Sequence, residues 1–206
     1  MVPLVWSPGI QHAACPVRPA RDLEYARGPP MIWLSNSTLA RLRDQLRSTG
    51  QRASIAVDSP NALSAERVEA EYGPLCEAMY LMMSADGTVS EPERDVLRGA
   101  LRNLSGDALR SVEIDALVGG AAARVEAEGR DARMKAVASE LDGDRGRAEV
   151  AFVLAAAIAF ADNAIADGEN ETLDALADLL AIDESRAETL LDEVEADLAA
   201  ESQRAG

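Results

Sequence analysis

The chain has 206 residues, 36 acidic and 20 basic, for a net charge of −16, and its one histidine is His12. That balance argues against nucleic-acid binding, since a phosphate backbone would be repelled. A single histidine also excludes most His-based catalysis and His-rich metal sites. Ala (39) and Leu (23) dominate while aromatics make up 3%, which favours helices over strands.

Residues 1–35 hold six of the nine prolines, both tryptophans and the histidine. They show no lasting periodicity and are expected to form a disordered or loosely packed arm. An alternative is that translation starts at Met31. The first ten residues lack a basic region and are interrupted by Pro3, Pro8 and Gly9, so no signal peptide is expected. The longest apolar run, Val150–Ala161, has twelve residues, against about 20 for a membrane span. A cytoplasmic address follows as an expectation. Cys15 and Cys76 are too far apart for a CxxC pair and too few for a disulfide framework.

A short helix and a linker are predicted over 36–62. Ser37 can cap the helix, Leu39, Leu42 and Leu46 form its apolar stripe, and Gly50 can end it. A helical domain is predicted over 63–200, with 201–206 as a tail. Its segments run 64–72, 74–85, 91–104, 110–128, 131–141, 145–161, 167–181 and 185–200. Breaks are expected at Gly73-Pro74, Asp86-Gly87, Ser105-Gly106, Gly129, Asp142-Gly143 and around Asn163. Gly119-Gly120 weakens the 110–128 segment, because each interior glycine costs about 1 kcal/mol, and two short helices are an alternative there. The predicted fold is all-α: a compact bundle of about seven or eight helices preceded by the irregular arm.

Two stretches match at an offset of 76 residues. Ala85-Asp86-Gly87-Thr88-Val89-Ser90-Glu91-Pro92-Glu93 pairs with Ala161-Asp162-Asn163-Ala164-Ile165-Ala166-Asp167-Gly168-Glu169. Leu97 and Leu173 extend the match. Each copy follows an apolar helix and precedes an amphipathic one, which implies a helix–loop–helix unit used twice. Gly87 and Asn163 tolerate left-handed backbone. Val89 and Ile165 plug the turn into the core. Ser90 and Glu93 fit a capping box, and Asp167 can take over where Ala166 cannot cap. The spacing of Asp86 and Glu93 also suits the second half of an EF-hand loop. The first half is missing, with Met82 and Ser84 at ligand positions, so that family is rejected.

This repeat resembles the TerB-like family, named for bacterial tellurite resistance and related to the N-terminal region of the co-chaperone DjlA. Its members carry two A-D-G-x-[VI]-S-x-x-E motifs in an all-α bundle. The resemblance covers roughly residues 70–198. The first copy is close to the pattern; in the second, Asn163 replaces the glycine and Ala166 the serine. The resemblance implies a non-enzymatic stress-response role, as a metal-sensing or scaffold module near the inner membrane. A membrane protein resembling TerC is the implied partner. The chain has no His-Pro-Asp tripeptide, hence no J-domain of its own.

Two functions from different classes follow. In the first, Asp86, Glu93, Asp162 and Glu169, with Asp167 beside them, converge on a divalent cation. Their hard oxygens suit Ca²⁺, Mg²⁺ or Mn²⁺. Capping of helix starts accounts for the same spacing without any ligand, and is weighted about two to one over binding. In the second, the acidic stretch 161–206, with 14 acidic and 2 basic residues, docks a basic protein partner or acts as a co-chaperone-type helical domain without metal. A solvated helix face is the commoner reading of any single charge run. An enzyme is not expected. The sequence offers no Ser/His/Asp set, no Cys/His pair and no Gly-rich phosphate loop, and its one lysine is Lys135.

Overall fold

The computed structural model describes residues 34–53, 65–85, 87, 89–160 and 167–205. The described residues form eight helices: α1 (Asn36–Ala53), α2 (Ala65–Met83), α3 (Glu91–Ser105), α4 (Ser111–Glu128), α5 (Arg130–Leu141), α6 (Arg145–Ala159), α7 (Asp167–Leu179) and α8 (Glu184–Ala205). The described residues contain no strand, as the composition predicts. The chain divides into Met1–Pro30 and Met31–Gly206, and every described residue lies in the second unit. The predicted arm therefore falls outside the described residues, apart from Leu34 and Ser35. So does the linker segment 54–64.

Two helices are apolar nearly all round, and that pattern identifies the centre of the bundle. Every residue of α2 from Tyr72 to Met83 is buried. In α6 the run Ala148–Ala157 is buried throughout. These two helices pack more extensively on each other than any other pair. Ala151, Ala155, Ala156 and Ala159 of α6 are fully enclosed. Leu75, Met79 and Met82 of α2 are enclosed in the same core. Cys76, Met79 and Met82 are core residues, as their place in an apolar helix predicts.

The outer helices follow a reciprocal pattern. α1 lies on α6 and α3, and α5 lies on α2 and α7. α4 covers α2, and α8 covers α6. The offset of 76 residues carries the last residue of α2, Met83, onto that of α6, Ala159. It also carries the first residue of α3, Glu91, onto that of α7, Asp167.

Of three local expectations, two are corrected and one holds against its alternative. The first concerns Gly73-Pro74, where a break was expected but α2 continues. Proline has no N–H, so the Ala70 carbonyl loses its helical partner. Arg147 of α6 supplies one, its Nη2 donating to the Ala70 carbonyl at 2.7 Å and to the Glu71 carbonyl at 2.9 Å. The second is the segment predicted over 110–128: α4 runs unbroken through Gly119-Gly120 as one helix, and the alternative of two short helices falls. Ile114, Leu117, Val118 and Ala121 bury its inner face on both sides of the glycines, and this packing outweighs their propensity cost.

The third concerns α1. It begins at Asn36 and runs past Gly50 to Ala53. Its cap is Ser35 rather than Ser37: the Thr38 N–H donates to Ser35 Oγ at 3.1 Å. Ser35 itself is anchored, its N–H donating to Asp197 Oδ2 of α8 at 2.6 Å. Leu39, Leu42 and Leu46 are buried in the same core as α2 and α6. The helix thus belongs to the bundle, even though a polar linker separates it in sequence.

Candidate functional site

The first motif begins where α2 ends. The Ser84 and Ala85 N–H groups close the last turn on the Tyr80 and Met82 carbonyls, and Ser84 Oγ donates to the Leu81 carbonyl at 3.0 Å. Gly87 has φ of +144°, a value that residues with a side chain rarely adopt. Val89 is buried and plugs the turn into the core, as predicted. The Ser90 N–H then donates to Glu93 Oε2 at 2.6 Å, the carboxylate half of the expected capping box.

Glu91, the first residue of α3, pairs with Arg98 at 3.0 Å. Arg98 also holds Asp95 at 2.7 Å and Asp115 of α4 at 2.8 Å. Hydrogen bonds to these three carboxylates drive its pKa above the ordinary arginine value.

The second motif is described only from Asp167 onward, as the start of α7. Asp86, Thr88 and residues 161–166, including Asp162, Asn163 and Ile165, lie outside the described residues. The same holds for the side chains of Asp167 and Glu169. Glu93 is therefore the one predicted ligand whose side chain is described, and it is engaged as a cap. Among the described residues, no three His, Cys, Asp or Glu side chains are grouped to hold a metal ion.

The two helices that lead into the motifs run in the same direction. Arg147, in the first turn of α6, reaches carbonyls in the first half of α2. Because α2 and α6 share the most extensive contact in the bundle, only a parallel course keeps the rest of both helices side by side. An antiparallel α6 would run off the start of α2 after one turn. A second tie closes the other end. Arg130 Nη2, at the start of α5, donates to the Leu81 carbonyl of α2 at 3.3 Å and to Thr172 Oγ1 of α7 at 3.1 Å. The end of α2 and the early turns of α7 therefore lie together. The ends of α2 and α6, which precede the two motifs, therefore lie at the same end of the bundle.

A buried ionic cluster went unseen in the sequence. Glu77, on α2, is 1% exposed. Its carboxylate accepts from Arg133 Nε at 2.5 Å, Arg133 Nη2 at 3.1 Å and Arg124 Nε at 2.7 Å. Arg133 also reaches Glu128 and Glu140, and Arg124 reaches Glu69. The cluster clamps α4 and α5 onto α2. One signal was available: Glu77 interrupts an otherwise apolar run from Leu75 to Met83. A charge in such a run must find a partner, though its identity is not local information. Burial pushes the neighbouring Cys76 thiol far above its ordinary pKa, which favours the neutral form.

A smaller cluster sits on α6. Glu149 binds Arg186 at 2.6 Å and Arg145 at 3.1 Å. The Arg186 bond, aided by Arg145, holds its carboxyl below the usual glutamate range against the opposing effect of burial.

Lys135 is exposed. Among the described residues, no helix is long and apolar enough to cross a membrane. No curated protein and no solved structure matches the chain. The family model described as "Tellurite resistance protein TerB" matches residues 75–192, from the middle of α2 into α8. That span is more than half of the 206 residues and takes in both motifs, all of α3 to α7 and Glu77 with its two arginines, so the chain belongs to the TerB family, which is related to tellurite resistance.

Proposed function

We propose that the chain is a non-enzymatic stress-response module of the cytoplasm that binds a divalent cation through its two acidic motifs. The observation that carries this reading is the parallel course of α2 and α6. It sets the ends of α2 and α6, the helices that precede the two matching carboxylate-rich stretches, at one end of the bundle. Asp86, Glu93, Asp162, Asp167 and Glu169 supply the hard oxygens that Ca²⁺, Mg²⁺ or Mn²⁺ prefer. Glu93 caps α3 through Oε2. A cation there would bind beside the cap rather than replace it. The residue inventory supports the non-enzymatic part of the reading, with one histidine and one lysine in the chain.

The test is thermal unfolding with millimolar Ca²⁺, Mg²⁺ or Mn²⁺ against KCl of equal ionic strength. A ligand at a hundredfold excess over its Kd adds about 2.7 kcal/mol of stability. For a domain of this size that raises Tm by roughly 5–11 °C. The gain should vanish in the Asp86→Ala, Asp162→Ala double variant. An unchanged Tm in all three metals would sink the cation reading.

A second reading has its own support. Glu171, Asp174 and Asp178 on α7, and Glu184, Glu188, Asp192 and Glu195 on α8, are exposed at helical spacing. Within the described residues none of them forms an ion pair. Like charges three or four residues apart repel by a few tenths of a kcal/mol each. A basic segment laid along these stripes would relieve that repulsion. A membrane protein resembling TerC is the partner this reading names, and it would bring the chain to the inner membrane. Capture of such a partner should weaken steeply with salt, and salt-insensitive capture would count against it.

A further inference from the structure

We draw no further inference here: the strongest candidate, the open groove of about 490 Å³ between α5, α6 and α7 edged by Lys135, Ser139, Arg145 and Leu179, carries nothing because nothing in the structure shows what covers it.

Discussion

Glu77 offers the sharpest test of how this bundle holds together. Replacing it with alanine leaves Arg133, whose side chain is 10% exposed, without its bidentate partner. Removing one member of a buried pair typically costs 3–5 kcal/mol, since the other charge stays desolvated. The surroundings soften the loss here. Arg133 can lean toward Glu128 and Glu140, and Arg124 toward Glu69, all about half exposed. We therefore expect Glu77→Ala to cost about 3 kcal/mol, the low end of that range. This corresponds to roughly 6–12 °C in Tm for a domain of this size. The assay is urea unfolding, with the midpoint lowered and the slope unchanged.

Glu69→Ala is the matched control, because it removes a carboxylate from the same Arg124 at a wet position. It should cost under about 1 kcal/mol. Adding Arg133→Met to Glu77→Ala should cost less than the sum of the single changes, because the orphaned charge is then gone. If Glu77→Ala proves no worse than Glu69→Ala, the clamp is not what fixes α4 and α5 on α2, and the reasoning fails.

Other consequences are open to measurement. Arg147→Met should destabilise by about 1.5–3 kcal/mol, the worth of a charged hydrogen bond. The loss should shrink in a Pro74→Ala background, where residue 74 regains an N–H for the Ala70 carbonyl; equal losses in both backgrounds would refute the capping role of Arg147. At Gly119, in the interior of α4, an added Cβ would meet nothing within 4 Å. Gly119→Ala should therefore stabilise by about 0.5–1 kcal/mol, and a lowered urea midpoint would contradict that. Glu149 has a depressed folded pKa. Its pairing thus adds stability that is present above the ordinary glutamate pKa and is lost as pH falls through the folded value. Glu149→Gln should accordingly flatten the decline of Tm between about pH 5 and pH 3, and a decline as steep as that of the parent would show that other carboxylates govern it.

Much of the bundle was legible from local chemistry. Leu97, Leu101 and Leu104 mark the buried face of α3 by their spacing, and Gly106 ends that helix with φ of +62°. Ser90 and Glu93 announced a helix start that α3 confirms. The first motif gave the buried Val89 plug and the positive φ of Gly87. Such features depend on residues within a turn of one another, so one stretch of sequence suffices to infer them.

What the sequence by itself determined was therefore an all-helical chain, most helix limits within a few residues, and the paired motifs that carry the family resemblance. Tertiary structure alone decided the rest. Pro74 should break a helix, and it does not because Arg147 supplies a donor to the Ala70 carbonyl from 77 residues along the chain. Glu77 should be excluded from a core, and it is buried because two arginines from α4 and α5 arrive to meet it. The motifs are 76 residues apart in the chain, yet the helices that precede them end on one side of the bundle because α2 and α6 pack in parallel. In each case the deciding group lies far along the chain. Propensity and capping act over a single turn, whereas the satisfaction of a buried polar group depends on whatever folding brings beside it.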